Sequence, residues 1–155
     1  MDNPAEPYIL VVEDDADARE ALSEYLIDAG YLPMGVGDGV EALSHLRAGN
    51  RPAMIVLDLI LPRIDGWRFL SIIAQSDEHA TIPVVVCSGA DTSTHPPGVA
   101  RDHVLPKPLD PERLMEFVTR YCGPSDAWQA FRNMGRPSAR TRRTRPSSTS
   151  GQKRK

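Results

Sequence analysis

The chain has 155 residues, 41% of them hydrophobic and 25% charged, and a formal net charge of −3, which predicts a soluble globular protein with one domain of ordinary size and a tail. No apolar run approaches the roughly 18 residues of a transmembrane helix, and the polar, acidic N-terminus lacks the pattern of a signal peptide. Because Cys87 and Cys122 lie far apart and form no CxxC pair, we expect free thiols and a reducing, cytoplasmic location.

Five short apolar segments are predicted to be β-strands. They cover residues 8–12, 32–36, 54–57, 84–87 and 103–105. Most of them lack the polar–apolar alternation of a half-exposed strand. Continuous apolar strands are expected where helices cover both faces of a parallel sheet.

The first two strands are followed by clear helical patterns. Apolar residues between 18 and 29 recur on one helix face, and Gly30 is a typical residue just after a helix end. Asp38 followed by Glu41 resembles a capping box, which predicts a second helix from this point.

The remaining helices are less uniform. A third helix is predicted over 66–75, and Asp110-Pro111 predicts the start of the last one. Between residues 91 and 102, two prolines and a glycine interrupt any helix, so the fourth helix is expected to be short or irregular. The order is therefore α/β, a strand–helix unit repeated five times, which predicts a parallel sheet with right-handed crossovers.

Charge is divided unevenly along the chain. Residues 1–122 carry 20 acidic and 9 basic side chains, a net charge of −11, whereas residues 123–155 carry 1 acidic and 9 basic, a net charge of +8. From Gly135 onward no apolar residue is larger than alanine, so little surface is available to offset the entropy of ordering. We predict a domain over 1–122 and a basic, largely disordered tail over 123–155, in which 127–131 could form a helical turn.

Two interpretations of the basic tail stay open. It could be a solvated end without a partner, or it could make non-specific contacts with nucleic acid, an acidic protein, an anionic membrane or the acidic domain. No aromatic residue follows Phe131, so sequence-specific DNA binding is not expected.

Polar side chains follow four of the five predicted strands. They are Glu13, Asp14 and Asp15 after the first strand, Asp58 after the third, Ser88 after the fourth and Lys107 after the fifth. The carboxyl ends of parallel strands share one edge of the sheet, where sites form in such folds. Carboxylates packed together repel unless a cation compensates, and oxygen ligands suit Mg²⁺. A carboxylate beside Mg²⁺ can attack phosphorus to form an aspartyl phosphate, which a lysine can partly neutralise and a hydroxyl can hydrogen-bond.

Each of these residues alone has a commoner explanation. Asp15 is expected to cap the first helix, a lone Ser88 would be a small loop residue, and a lone Lys107 would be a surface charge. Lys107 is, however, the only lysine in residues 1–122 and lies between two prolines that stiffen the backbone. The coincidence of all these groups at matching strand ends favours a phosphoacceptor site.

Four segments resemble the signatures of bacterial two-component response-regulator receiver domains, in particular single-domain, chemotaxis-regulator-like ones. They are ILVVEDD at 9–15, VLDLILPRIDG at 56–66, VVCSG at 85–89 and LPKP at 105–108. The resemblance covers about residues 7–122. Pro62 and Gly66 look like the loop-shaping residues of that family.

The resemblance implies a flavodoxin-like (βα)₅ fold with a doubly wound, five-stranded parallel sheet. It implies that Asp58 accepts a phosphoryl group from the phosphohistidine of a histidine kinase or a phosphotransfer protein. The other implied site residues are Glu13 and Asp14 in an acid pocket, Mg²⁺ on Asp14, Asp58 and the backbone carbonyl of Ile60, and Ser88 and Lys107 on the phosphoryl oxygens. Phosphorylation would switch interactions with a downstream protein that the sequence does not name.

The chain departs from the family pattern in three places. Val104 stands where the family usually has an aromatic residue, three positions before the lysine. The segment between Ser88 and Lys107 is short, with Pro96-Pro97 where a helix would run, and no DNA-binding domain follows. Whether these departures alter the output face stays open.

The sequence also predicts how the site would turn over. Ile60 and Ala90, two residues after the acceptor and the hydroxyl residue, cannot position a water molecule by hydrogen bonding. We therefore expect a phosphoacceptor with self-phosphorylation and slow autodephosphorylation, not a conventional turnover enzyme.

Three other functions fit less well. A scaffold that keeps the receiver fold without phosphorylation would not need Asp14, Asp58 and Lys107 together. A phosphatase of the haloacid dehalogenase type would have a second aspartate where this chain has Ile60. A flavodoxin would have a phosphate-binding loop after the first strand, where the acidic side chains of this chain would repel a phosphate.

Overall fold

The computed structural model describes residues 6–89 and 98–126, and within them five parallel strands form one sheet in the order β2-β1-β3-β4-β5. The strands are β1 (Ile9–Val12), β2 (Pro33–Val36), β3 (Met54–Leu57), β4 (Val84–Ser88) and β5 (Val104–Pro106). Val12 is paired with both Val36 and Leu57, so these strands end level with one another. The predicted α/β, doubly wound fold is confirmed.

In the part of the chain that the structure describes, four α-helices connect or follow the strands, each beginning after an aspartate. They are α1 (Ala16–Asp28), α2 (Gly39–Arg47), α3 (Gly66–Ala74) and α4 (Pro111–Cys122). The side chains of the preceding aspartates accept hydrogen bonds from backbone amides of the first turn. The caps expected at Asp15, Asp38 and Asp110 are confirmed, and Asp65 is a fourth that the sequence analysis did not identify. Glu41 accepts from the Gly37 amide, one residue before the position of a regular capping box.

The segment expected to hold a short or irregular fourth helix is described only in part. Residues 90–97 lie outside the described residues. Residues 98–100 are not helical, and one turn of 3-10 helix covers Arg101–His103. Because His103 belongs to this turn, β5 begins one residue later than predicted.

The core has two layers, one on each face of the sheet. Alternate strand residues such as Leu10 and Leu57 pack with α2 and α3, while their neighbours, such as Ile9 and Val56, pack with α1 and α4. Burial of each such side chain contributes about 1.5–3 kcal/mol, which explains why the strands are apolar on both faces. Cys87 is buried in the second layer as a free thiol, as predicted, and burial raises its pKa to about 12.

The first residues after α4 contact the domain. The Tyr31 hydroxyl donates to the Gly123 carbonyl at 2.8 Å and accepts from the Ser125 amide at 3.1 Å, and the Ser125 hydroxyl donates to the Ala29 carbonyl. The predicted helical turn at 127–131 and the rest of the basic tail lie outside the described residues. None of the helices in residues 6–89 and 98–126 combines the length and apolar character needed to cross a bilayer.

Candidate functional site

Three carboxylates meet at the carboxyl-terminal edge of the sheet. Glu13 and Asp14 directly follow β1, and Asp58 directly follows β3. Because these two strands are paired in register, the three side chains lie at the same edge of the sheet. One carboxylate oxygen from each of the three side chains lies within 4.8 Å of the others. Asp58 is buried, with 7% of its surface exposed, whereas Asp14 is exposed.

Lys107 connects two of these carboxylates. Its ammonium nitrogen Nζ lies 3.0 Å from Glu13 Oε2 and 3.0 Å from Asp58 Oδ2. Partial burial disfavours the charged form of Lys107, but the hydrogen bonds to Glu13 and Asp58 outweigh that effect and raise its pKa. Burial raises the pKa of Glu13, an effect that the hydrogen bond from Lys107 opposes. A charged lysine therefore partly neutralises this acidic edge.

The second oxygen of Asp58 is oriented by the backbone. Asp58 Oδ1 accepts a hydrogen bond from the Ile60 amide at 3.0 Å. The Ile60 side chain points outward, with 63% of the residue exposed. Asp58 is thus fixed by a backbone amide on one side and by Lys107 on the other.

Ser88 and Asp15 differ in their relation to the acidic edge. Ser88 ends β4, is only 2% exposed and is paired in register with Pro106, next to Lys107. Asp15 Oδ1 accepts from the amides of Asp17 and Ala18, at 2.9 and 3.1 Å, and is therefore the cap of α1. The structure brings together all the predicted site residues at one edge and leaves Asp15 outside the carboxylate cluster.

A close approach of backbones shapes the loop after Asp58. A Cβ atom at Gly66 would lie 2.6 Å from the Asp58 carbonyl oxygen and 2.6 Å from Leu59 Cα. The Gly66 amide donates to the Leu59 carbonyl at 2.9 Å. Because only glycine fits here, α3 can begin directly against the residue that carries the candidate acceptor.

The donor set at this edge fits a hard divalent cation. Glu13, Asp14 and Asp58 offer only oxygen ligands, and Mg²⁺ takes one or two carboxylates together with phosphate oxygens, carbonyl oxygens and water. The exposure of Asp14 leaves one side of the cluster open to solvent. A compact cluster of this kind is the acidic pocket expected of a receiver.

Two arginines near the site were not identified from the sequence. Arg19 on α1 donates to the Glu13 carbonyl at 2.8 Å. Arg63 forms an ion pair with Asp38 and has a positive φ of 65°. The only sequence signal for Arg19 is its place in the second turn after the acidic residues, and Arg63 gives none because its partner lies 25 positions away.

The fold and this site define a class, the doubly wound α/β proteins with an acidic cluster and a lysine at the carboxyl-terminal edge of a parallel sheet. Within that class the chain belongs to the response regulator receiver domain family, whose family model matches residues 9–119. It is therefore a receiver domain of the type used in two-component signalling.

Two relatives show how much of the chain is shared with other proteins. The response regulator MprA of Mycobacterium bovis is 36% identical over 129 residues, which cover 79% of this chain and 55% of MprA. An uncharacterised 14.6 kDa protein of Leptolyngbya boryana is 30% identical over 125 residues, which cover 79% of this chain and 95% of that protein. This chain spans about half the length of the MprA proteins that it matches.

Solved receiver structures share the fold. A response regulator receiver protein from Pseudomonas putida superposes with a TM-score of 0.67 at 31% identity, covering 76% of this chain and 99% of the other. The receiver domain of the Francisella response regulator 1452 gives a TM-score of 0.65 at 26% identity, covering 75% and 96%. The similarity thus extends over nearly the whole of each solved domain.

Proposed function

We propose that Asp58 accepts a phosphoryl group from the phosphohistidine of a histidine kinase or phosphotransfer protein, and that the phosphorylated domain changes its interactions with a downstream protein. The observation that carries this proposal is the position of the Asp58 carboxylate, which lies in the acidic cluster and also contacts Lys107 at 3.0 Å. Membership of the receiver family supports the same donor class.

The transfer assigns a role to each group. An Asp58 oxygen forms a bond to phosphorus while the phosphorus–nitrogen bond of the donor histidine breaks, and the imidazole leaves with the bonding electron pair and takes up a proton. Lys107, released in part from Glu13, neutralises the phosphoryl oxygens, and the Ser88 hydroxyl donates to one of them. Hydrolysis then returns the Asp58 carboxylate and inorganic phosphate.

We further propose that Glu13, Asp14, Asp58 and the Ile60 carbonyl form the magnesium site. Mg²⁺ would supply compensation for the charge that collects on the phosphoryl oxygens. Glu13 would act mainly by holding Lys107 and one side of the pocket, since its Oε2 accepts from Lys107 at 3.0 Å. Asp14, which has the most exposed carboxylate of the three, would be the ligand that solvent and donor reach first.

Intact-mass measurement tests the acceptor. Wild-type protein incubated with acetyl phosphate and Mg²⁺ should gain one acid-labile phosphoryl group, and Asp58→Ala should gain none. Asp15→Asn is a matched control, because asparagine caps a helix as well as aspartate does, and it should label like the wild type.

Two results would contradict the proposal. Labelling of Asp58→Ala at the wild-type level would show that another residue is the acceptor. Full labelling in excess chelator would show that phosphorylation does not require a metal ion. Absence of any labelling of the wild type, by acetyl phosphate or by a phosphorylated kinase, would favour the scaffold that works without phosphorylation.

The partners beyond the phosphodonor stay predictions. The boundary near residue 122, the cytoplasmic location and non-specific contacts of the basic tail with an anionic partner rest on the sequence alone. The charge of +8 over residues 123–155 supports an anionic partner for the tail. Salt-dependent binding of the full chain, absent from a chain without the tail, would establish it.

A further inference from the structure

An ion pair connects the loop that carries Asp58 to the start of α2. We call residues 58–65 the acceptor loop. Arg63 donates from Nε at 3.0 Å and from Nη2 to the same oxygen, Asp38 Oδ2. The other Asp38 oxygen accepts from the Glu41 amide at 2.9 Å and caps α2. The Asp38 side chain is only 11% exposed, so the acceptor loop is held against a buried, fixed carboxylate.

A second contact holds the acceptor loop at the same place. A Cβ atom at Gly39, the first residue of α2, would lie 2.5 Å from the Ile64 carbonyl oxygen. The first turn of α2 therefore touches two consecutive residues of the loop, Arg63 through its side chain and Ile64 through its backbone. The hydrogen bond from Glu41, and then that from Arg63, lowers the pKa of Asp38, so its carboxylate is ionised at neutral pH.

Arg63 occupies a backbone conformation that its residue type disfavours. Its φ of 65° lies in the left-handed region, which glycine adopts freely and other residues adopt at a cost in free energy. A glycine would therefore suit the backbone at position 63 better than an arginine does. A side chain that is retained at such a position is expected to contribute through its contacts.

The opposite end of the acceptor loop contacts the candidate acceptor itself. The Ile60 amide donates to Asp58 Oδ1 at 3.0 Å, and the Ile60 carbonyl is a proposed metal ligand. Only two residues, Leu61 and Pro62, separate Ile60 from Arg63, and Leu61 is buried. A shift of the loop away from α2 would therefore move the Ile60 backbone relative to Asp58.

We propose that Arg63 is a positioning residue, which holds the acceptor loop on the first turn of α2 so that the Ile60 backbone stays directed at Asp58 and at the metal. This inference rests on the proposed function of Asp58 and Mg²⁺. Arg63 touches neither, and acts through the loop. Groups of this indirect type typically change metal affinity by about 10-fold or more when removed.

Arg63→Gly distinguishes this positioning role from a role in stability alone and from a purely electrostatic effect on the pocket. The substitution relieves the left-handed backbone, so the urea midpoint should change little although the ion pair is lost. It also removes a positive charge near an acidic pocket, so electrostatics alone would make Mg²⁺ bind more tightly. Positioning predicts the opposite, a dissociation constant for Mg²⁺ raised about 10-fold.

Mg²⁺ binding is titrated by the fluorescence of Trp67, which lies in the first turn of α3, directly after the acceptor loop. All variants carry Trp128→Phe, which removes the other tryptophan. Asp38→Asn keeps a capping group but loses the ion pair, and should weaken Mg²⁺ binding as Arg63→Gly does. The double variant should be no weaker than either single variant, because both remove one interaction. Arg63→Lys should recover part of the affinity.

Arg68→Ala is the charge-matched control. Arg68 is an exposed arginine of α3 that leaves Asp38 untouched, so its loss should not weaken Mg²⁺ binding. Hydrogen–deuterium exchange of the metal-free protein is a second measurement, which does not depend on Mg²⁺. The Ile60 amide should exchange about 10-fold faster in Arg63→Gly than in the wild type.

The outcomes distinguish this inference from the proposed function. If wild-type protein binds Mg²⁺, Asp14→Asn binds it about 10-fold or more weakly, and Arg63→Gly binds it as tightly as the wild type or more tightly, the positioning role is wrong while the metal site stands. An equal loss in Arg68→Ala, or an unchanged Ile60 amide, would also overturn it. If the wild type binds no Mg²⁺, the proposed metal site fails, and the inference with it.

Discussion

At the scale of single residues, Asp14 and Asp15 are neighbours with different surroundings. The Asp15 carboxylate accepts hydrogen bonds from two backbone amides of α1, so its negative charge stabilises the start of that helix. The Asp14 carboxylate instead lies in the cluster with Glu13 and Asp58. Only Asp14 is placed beside the other two carboxylates, where their oxygens together could bind a cation.

We predict that Asp14→Asn weakens Mg²⁺ binding about 10-fold or more, whereas Asp15→Asn changes it less than about twofold. The physical reason is that the first change removes a charged ligand, while asparagine replaces aspartate as a cap. Trp67 fluorescence in the Trp128→Phe background measures both constants. Equal losses in the two variants would overturn the assignment of Asp14 as a ligand.

Ile60 bears on how long the phosphoryl group survives. Its side chain is exposed beside Asp58 and can neither donate nor accept a hydrogen bond. An attacking water would therefore find no polar side chain at this position to orient it. Ala90, the other position expected to flank the approach, lies outside the described residues.

We predict that Ile60→Asn shortens the lifetime of the phosphoryl group about 10-fold, equivalent to about 1.4 kcal/mol of barrier. The measurement is the loss of phosphate from purified, labelled protein in Mg²⁺, followed by intact mass. Ile60→Val keeps an apolar side chain and should decay at the wild-type rate. Decay of the wild type as fast as Ile60→Asn would show that water positioning at residue 60 does not control the lifetime.

At the scale of elements, the sequence was sufficient for what depends on local pattern. The strands and three of the four capping aspartates follow from apolar runs and from residue type. The approach of Lys107 to Glu13, 94 positions away, follows from the shared edge of a parallel sheet. Arg63 and Asp38 could not be paired in this way. Their contact depends on how the acceptor loop lies on α2, which no periodicity encodes.

The close contact at Gly66 gives a prediction about α3. In Gly66→Ala the new Cβ would meet backbone atoms of Asp58 and Leu59 at 2.6 Å, and backbone cannot yield as a side chain can. We expect a loss of about 1–3 kcal/mol of stability and weaker Mg²⁺ binding, measured by urea unfolding and Trp67 fluorescence. Gly37→Ala is the matched control, since its Cβ would meet only the ends of two side chains, Glu41 Oε2 at 3.2 Å and Arg19 Nη1 at 3.5 Å. An equally large loss of stability in Gly37→Ala would mean that any alanine near the start of a helix has this effect, and that the backbone contact at Gly66 does not explain it.

At the scale of the whole molecule, the contacts of Tyr31 define where the domain can be shortened. A chain ending at Asp126 keeps the hydrogen bonds to Gly123 and Ser125, whereas one ending at Cys122 loses them. At about 0.5–1.5 kcal/mol for each of these three hydrogen bonds, we predict that the shorter chain is about 1.5–4.5 kcal/mol less stable in urea. The chain ending at Asp126 should unfold and label like the full chain.

Two results would contradict this prediction. Aggregation or lost labelling of the chain ending at Asp126 would show that Trp128 and Phe131 belong to the core. Equal stability of the two shortened chains would show that the Tyr31 contacts contribute nothing, which Tyr31→Phe in the full chain would check independently.

The Tyr31 contacts also set two ends of the molecule apart. Tyr31 lies just before β2 begins and its hydroxyl accepts from the Ser125 amide, so Ser125 lies at the amino-terminal edge of the sheet, while Asp58 lies at the carboxyl-terminal edge. Strands of four residues hold these two edges about 13 Å apart. A partner that contacts residues 123–126 would therefore not cover Asp58, and the partner and the phosphodonor could be engaged at the same time.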